Sequence, residues 1–179
     1  MGGTVTDRHP VYRGRVFELV RETVALDNGV TTDLDVIRHP GAAVMLPMPD
    51  PETVILIRQY RHAVGGYIWE IPAGTLDPGE TPLDGARREL AEEIGFSADR
   101  WEKLGEAVPV PGYADERLHL FLAEDLRPAT QSLDEDELLH VHTRPLREVL
   151  TMADGGEIQD AKTLCALFHL VRRRSIPQP

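Results

Sequence analysis

Hydrophobic and polar residues alternate, or run together as short apolar stretches, through the first part of the chain. Both patterns predict β-strands, half-buried in the first case and fully buried in the second. The predicted strands are Val16–Leu26, Thr31–His39, Ala42–Leu46, Thr53–Gln59 and Tyr67–Ile71. Asn28-Gly29 between the first two is a strong hairpin signal. The stretch Met1–Pro10 is polar, and we expect it to be a frayed start.

The apolar spacing changes to a helical period between Pro82 and Ile94. The apolar positions of this run fall within roughly 80° of one another on a helix, which makes a core-facing stripe. They are Leu83, Ala86, Leu90 and Ile94. Thr81 is suited to the N-cap, Pro82 to the first helical position and Gly95 to the helix end.

Strands and helices are mixed in the second half of the chain as well. The predicted strands there are Glu102–Val108, Arg117–Ala123 and Leu138–Thr143. A helix is predicted over Pro145–Met152, and a last helix, capped by Asp160, runs to about Arg174,. Strands that occur before, between and after helices predict an α/β or α+β fold.

Composition narrows the classes of protein that fit. A chain of 179 residues with 41% hydrophobic residues suits one folded domain with a core,. The net charge of −11 argues against duplex nucleic acid as a partner,. No signal peptide and no apolar run long enough for a membrane span is visible. The single cysteine, Cys165, excludes an intramolecular disulfide and favours a cytoplasmic protein,.

Three carboxylates crowd the polar side of the predicted helix. Glu89 and Glu93 are one turn apart, and Glu92 lies beside them,. Like charges at this spacing repel, whereas a hard divalent cation such as Mg²⁺ needs oxygen ligands of this kind. The alternative is an ordinary solvent-exposed acidic face, which is what most runs of charged residues form.

The stretch Gly74–Phe96 resembles the Nudix box, G-x5-E-x7-R-E-U-x-E-E-x-G-U, where U is a bulky apolar residue. The matching positions are Gly74, Glu80, Arg88, Glu89, Leu90, Glu92, Glu93 and Gly95, with Phe96 at the last one. The resemblance implies a Nudix α/β/α sandwich with a mixed central sheet and an N-terminal antiparallel hairpin or sheet. It places the hydrolase domain at residues 41–179, after N-terminal strands at 1–40 that serve dimerisation or domain swapping.

Two further stretches resemble the ADP-ribose pyrophosphatase group of that family. They are Arg58-Gln-Tyr-Arg61 with Trp69-Glu-Ile-Pro-Ala-Gly74, and Pro111, which lies 16 residues after Gly95. This resemblance implies a homodimeric enzyme that cleaves ADP-ribose, or a related nucleoside diphosphate sugar, with Mg²⁺ or Mn²⁺. Two alternatives stay open: another nucleotide sugar such as GDP-mannose, and a Nudix domain kept only for ligand sensing.

The resemblance also implies roles for individual residues. Metal ligands would be the carboxylates of Glu89, Glu93 and Glu92 and the carbonyl of Ala73. Substrate contacts would come from Arg61, Arg58, Glu70 and Glu116. Arg88 would hold a box glutamate, with Glu80 as its natural partner, because guanidinium groups bind carboxylates bidentately.

The general base is expected from the acidic segment Asp134-Glu135-Asp136-Glu137. Glu137, just before a predicted strand, is the first choice and Glu135 the second. The alternative is that most of these side chains form a solvated acidic turn. For a base in the substrate, the aromatic candidates are Tyr12 and Phe17, although the alternating run around Phe17 favours a core position.

Overall fold

A computed structural model describes residues 2–175 of the chain. Within them the chain forms ten strands, three α-helices and a short 3-10 helix at His62–Val64. The strands are β1 Gly3–Arg13, β2 Glu18–Leu26, β3 Thr31–Arg38, β4 Ala42–Pro47, β5 Thr53–Arg61, β6 Gly66–Glu70, β7 Ala73–Thr75, β8 Phe96–Ala107, β9 Leu118–Pro128 and β10 Leu139–Pro145. The helices are α1 Pro82–Ile94, α2 Leu146–Asp154 and α3 Ala161–Ser175.

The first compact unit consists of the described residues up to Gly41 together with Val108–Arg117. Its core is an antiparallel sheet in the order β1-β2-β3. The predicted hairpin at Asn28-Gly29 is present, and Gly29 has the positive φ of 83° that this turn requires,. The segment Val108–Arg117 adds to β3 through a bond from the Ile37 amide to the Tyr113 carbonyl, 2.8 Å long.

The expectation of a frayed N-terminus was wrong. Gly3–Arg13 is a strand that pairs with β2 along its length. All its side chains are exposed, so it is held by backbone hydrogen bonds rather than by burial. A strand of this kind has no apolar alternation, which is why the sequence pattern did not show it.

The second unit contains Ala42–Ala107 and the chain from Leu118 onward. One of its sheets has the order β7-β4-β9-β8, with β4 and β9 parallel, and the other the order β10-β5-β6. Successive residues of β4 point to opposite faces of the sheet and therefore pack in two different clusters of the core. Val44 packs in the cluster that includes α2 and α3, and Met45 in the one that includes α1.

The remaining elements differ from expectation mainly at their ends. β8 begins at Phe96, directly after α1, because Gly95 in the left-handed region ends the helix and Phe96 packs against the α1 cluster,. β7 was not predicted, since three residues paired with β4 carry too little pattern. Within residues 2–175, no helix combines the length and hydropathy that crossing a membrane requires.

Candidate active site

Helix α1 has the predicted bounds because its ends are encoded locally. The Thr81 side chain accepts a hydrogen bond from the Asp84 amide at 3.2 Å, and Pro82 occupies the first turn,. Gly95 closes the helix with φ of 69°, and its amide donates to the Ala91 carbonyl at 2.9 Å. Burial of the apolar stripe fixes how the helix is rotated, and hence where its glutamates lie.

Arg88 lies at the centre of the acidic cluster. Its Nε and Nη2 donate to the two oxygens of Glu80, each at 2.9 Å, so the predicted pairing is present. Nη1 donates to Glu89 at 2.7 Å and to Glu92 at 3.0 Å, and Nη2 also reaches the Thr75 carbonyl at 3.2 Å. Hydrogen bonds from Arg88 hold the pKa of the Glu80 carboxyl below its usual range. The arginine therefore neutralises and orients the box carboxylates together.

The strand before the box is built around the glutamates of α1. A Cβ placed on Gly74 would overlap the carboxylate of Glu89, so a larger residue at this position would require the Glu89 side chain to move. The neighbouring amide of Ala73 donates to Glu93 Oε2 at 2.9 Å. Glu93 is 1% exposed, whereas the Glu92 side chain is 40% exposed. β7 thus brings its backbone against the buried carboxylate of Glu93 and the largely buried carboxylate of Glu89.

Burial disfavours the charged forms of Glu93 and Glu89 and raises the pKa of both carboxyl groups,. Burial, and then the charge of Glu89, raise the pKa of Glu93 to about 8,. Burial likewise raises the pKa of Glu89, although Arg88 opposes the shift. A divalent cation would remove this penalty and stabilise both charged forms, so this donor set fits a hard metal ion.

As they stand, no three acidic, histidine or cysteine side chains within residues 2–175 converge closely enough to surround an ion. Nη1 of Arg88 instead donates to both Glu89 and Glu92. The Ala73 carbonyl stays a predicted ligand.

The acidic segment after β9 is anchored against the C-terminal end of α1. The Gln131 side chain donates to the Glu93 carbonyl at 2.7 Å, and the Ser132 amide donates to the Glu92 carbonyl at 3.0 Å. These bonds bring the following turn close to the cluster. Glu137 adds its charge to the effect of burial in raising the pKa of both Glu89 and Glu93.

Glu137 and Glu135 differ within that turn. Glu137 is half-buried, and its carboxylate accepts a bond from the Asp134 amide at 3.1 Å, which fixes its direction. Glu135 is exposed. The two predicted candidates for the general base are therefore placed differently, and Glu137 is the one whose charge the buried carboxylates sense.

A second charged group lies beside the cluster and is centred on Glu70. This carboxylate is 2% exposed and accepts from Arg61 Nη2 at 2.7 Å, while Lys162 Nζ lies 3.2 Å from its other oxygen. The Arg61 charge in turn acts on Glu93. The group offers two cations, Arg61 at 39% exposure and Lys162 at 13%, next to the buried acids.

Sequence reasoning missed Lys162. It lies in the first turn of α3, where the helix dipole disfavours a cation, and this mismatch was the available signal,. Asp160 compensates by pairing with it at 2.9 Å, and its other oxygen accepts from the Thr163 amide at 3.0 Å. The Thr163 hydroxyl accepts from the Ile71 amide at 2.9 Å, which ties the helix start to the chain after β6.

One predicted substrate residue, Arg58, is not brought to this group. Arg58 is three residues from Arg61 on β5, so it points to the opposite face of the sheet. There it lies over the Trp69 ring, 5.5 Å from the centroid. Glu116 belongs to the first unit, on the segment that follows Pro111. Tyr12 and Phe17, also in that unit, are both exposed, so the core position favoured for Phe17 was wrong.

Comparison with known proteins adds independent findings. A family model described as NUDIX domain matches residues 37–167. The chain is 36% identical to an ADP-ribose pyrophosphatase from Bacillus subtilis over 94% of this chain and 92% of that protein. It is 35% identical to a GDP-mannose pyrophosphatase from Cronobacter sakazakii, over 87% and 95%. The crystal structure of an ADP compounds hydrolase superposes with a TM-score of 0.83 and 28% identity, over 97% and 94% of the two chains.

Proposed function

The chain belongs to the NUDIX domain family, and on that premise we propose that it hydrolyses the pyrophosphate bond of ADP-ribose to AMP and ribose 5-phosphate. The predicted family and fold class, a Nudix sandwich with a mixed sheet, are confirmed. The observation that carries the proposal is Glu93, a buried carboxylate held beside Glu89 and near both Glu137 and Arg61.

The box residues hold a divalent cation in this proposal. Glu89 and Glu93 are its main ligands, with Glu92 and the Ala73 carbonyl as further oxygen donors. When bound, the ion offsets the negative charge that develops on the phosphoryl oxygens. We propose Mg²⁺, with Mn²⁺ as a substitute, because a site of few carboxylates suits these hard cations.

The residues around the box bind the substrate and move the proton. Glu137 takes a proton from water as the water oxygen bonds to one phosphorus and the P–O–P bridge breaks at that phosphorus. Arg61 and Lys162 bind the diphosphate, and Glu70 holds both of them in place. Arg88 restrains the box carboxylates without touching the substrate.

GDP-mannose is the second candidate substrate, and a specific observation favours it. The relative that cleaves GDP-mannose is almost as similar to this chain as the one that cleaves ADP-ribose, at 35% against 36% identity. The diphosphate-binding residues described above would serve either substrate. Discrimination must come from residues that contact the base and the sugar, and we assign Glu116 to the ribose side.

The ligand-sensing alternative fits less well. A domain that only senses ligand has no need to bury carboxylates at a cost in stability. In this chain the box acids are all present, Glu93 is buried, and the largely buried Glu89 lies against the backbone of Gly74.

We further propose a homodimer that forms through the N-terminal strands, and a cytoplasmic location. β1 is the edge of its sheet, so one side of its backbone is unpaired by any other strand of that sheet,. Val5, Val11 and Tyr12 are exposed along it. Pairing with a second copy would cover this edge. Light scattering should give twice the monomer mass, and a monomer at micromolar concentration would contradict the dimer.

A substrate panel tests the function directly. ADP-ribose, GDP-mannose, NADH and nucleoside triphosphates are incubated with the protein and Mg²⁺ or Mn²⁺, and the products are separated by ion-exchange chromatography. AMP and ribose 5-phosphate from ADP-ribose, at the highest kcat/KM of the panel, are the expected result. Glu93→Gln is the control for contaminating activity. GDP-mannose as the best substrate would favour the second candidate, and no turnover of any diphosphate would refute hydrolysis.

A further inference from the structure

The chain passes from one sheet of the second unit to the other between β6 and β7. Glu70 ends β6 in the sheet β10-β5-β6, and Ala73 begins β7 in the sheet β7-β4-β9-β8. Within this crossing segment, Glu70–Ala73, the first three residues are buried. Its backbone polar groups must therefore find partners inside the protein, because water does not reach them.

The backbone of the crossing segment is bonded to a different element at each residue. The Ile71 amide donates to the Thr163 hydroxyl on α3 at 2.9 Å. The Pro72 carbonyl accepts from an amide of β4 at 2.9 Å. The Ala73 amide donates to Glu93 Oε2 on α1 at 2.9 Å. The residue that contacts the box carboxylate thus lies two positions after the one that α3 holds.

One carboxylate organises the first turn of α3. Asp160 Oδ2 accepts from the Thr163 amide at 3.0 Å and from the Thr163 hydroxyl at 2.5 Å. Because the hydroxyl donates its only proton to Asp160, its oxygen is left as an acceptor for the Ile71 amide. The other oxygen, Oδ1, lies 2.9 Å from Lys162 Nζ, which lies 3.2 Å from Glu70. Asp160 therefore orients both side chains with which α3 holds the crossing segment.

Helix capping alone does not account for these residues. A capping carboxylate needs only one oxygen for an amide of the first turn. Thr163 is fully buried, where a valine of the same shape would bring no hydroxyl that needs a partner,. A cation at position 162 is opposed by the helix dipole. All three choices are accounted for if the start of α3 has to hold the segment that ends at Ala73.

We propose that Asp160 and Thr163 are positioning residues, which fix the crossing segment so that the Ala73 amide stays bonded to Glu93. Neither residue touches the reacting atoms, since both act through Ile71 and the backbone that follows it. The effect on catalysis rests on the proposed function, in which Glu93 is a metal ligand, whereas the anchoring of the segment does not. The last helix of the chain then determines how accurately β7 meets the box.

Three variants test the anchoring, and two others serve as controls. Thr163→Val keeps the shape of the side chain without its hydroxyl, whereas Thr163→Ser keeps the hydroxyl. Asp160→Asn still caps the helix, but one amide oxygen cannot replace two carboxylate oxygens. Thr151→Val is the matched control for threonine, because Thr151 is exposed on α2 and donates to a carbonyl of its own helix. Asp99→Asn is the control for aspartate, since Asp99 pairs with Arg127 on the exposed surface.

The first readout is hydrogen exchange at single amides, measured by NMR in the protein without metal or substrate. Exchange at Ile71 and Ala73 should quicken about fivefold or more in Thr163→Val and Asp160→Asn, relative to the amides of β4, because one hydrogen bond contributes about that factor. Thr163→Ser and both controls should exchange as the wild type does. Unchanged exchange at both amides, or an equal rise throughout β4, would overturn the anchoring. Faster exchange at Ile71 alone would overturn its link to Ala73.

The second readout is the division between kcat and KM, with the best substrate of the panel. Thr163→Val should lower kcat about tenfold, a smaller loss than the hundredfold that a shift of about 1 Å in a catalytic group causes. Its KM should change by less than about threefold, because no group proposed to bind the substrate is removed. Asp160→Asn should raise KM as well, since Lys162 loses a partner.

The third readout is rescue by the conservative variant, which separates positioning from a general loss of stability. Thr163→Ser should recover most of the kcat that Thr163→Val loses. Wild-type kcat in Thr163→Val, or an equally low kcat in Thr163→Ser, would overturn the positioning role. Wild-type protein without any turnover would refute the proposed function instead, and hydrogen exchange would still decide the anchoring.

Discussion

Gly74 and the carboxylate of Glu89 lie so close together that a Cβ on residue 74 would displace the carboxylate. The glycine of the box is therefore a requirement of contact, not of backbone conformation, since its φ is not positive. The contact places a charged group of α1 directly against the backbone of β7.

Gly74→Ala should displace Glu89 and lower kcat about a hundredfold, since a shift of about 1 Å in a catalytic group has that effect. The measurement is steady-state kinetics with Mg²⁺, together with thermal unfolding. Gly66→Ala is the control, because a Cβ there meets no atom within 4 Å. Equal activity of the two variants would show that Glu89 tolerates the displacement.

Glu137→Gln should lower kcat by about 10²–10⁴-fold, the usual contribution of a general base. Metal affinity, measured by calorimetry, should change little because Glu137 is not a proposed ligand. Glu135→Gln, two residues away and exposed, should retain most of the activity. If Glu135→Gln proved the more damaging variant, the base would have to be reassigned.

Arg61→Lys should raise KM about tenfold, because a single ammonium cannot reproduce the fork that Arg61 presents. Arg58→Lys should change KM by less than about twofold, since Arg58 lies on the opposite face of β5 and over Trp69. Steady-state kinetics with ADP-ribose compares them. A larger rise for Arg58→Lys would mean that the substrate occupies the Trp69 face.

Glu22 is buried on β2, and Arg38 Nη2 donates to its Oε1 at 2.6 Å. Glu22→Gln should destabilise the protein by about 2 kcal/mol at neutral pH, the scale of a hydrogen bond to a charged group. The folded-state pKa of Glu22 is depressed, so its contribution is present above the unfolded-state pKa, near 4.5, and is lost as the pH falls through the folded-state value,. Urea unfolding at several pH values should therefore show the two curves converging below about pH 4. A difference that stays constant with pH would contradict the linkage.

The elements that sequence predicted well are those whose signals are local. The bounds of α1 follow from Thr81, Pro82 and Gly95, and the pairing of Arg88 with Glu80 follows from the box spacing. β1 was missed because its stability comes from pairing with β2 and leaves no trace in its own side chains. Whether such a segment forms a strand depends on the neighbour with which it pairs, and its own residues do not reveal that neighbour.

The candidate site shows the same division. Its box ligands were predicted from one stretch, whereas Lys162 meets Glu70 across 92 residues of sequence. The choice between Glu137 and Glu135 depends on how Gln131 and Ser132 attach the segment to α1. Arg58 and Arg61 are arginines of the same short stretch. Only the alternation of side chains along β5 shows that they lie on opposite faces of the sheet.

Arg88 uses its guanidinium as a resident counter-charge, with five donated bonds to Glu80, Glu89, Glu92 and the Thr75 carbonyl. Its presence means that the acid cluster does not depend on an ion to remain folded, unlike small zinc domains whose chain collapses when the metal is withdrawn. Removal of the cation by a chelator should therefore abolish activity without unfolding the protein, and activity should return when a cation is added.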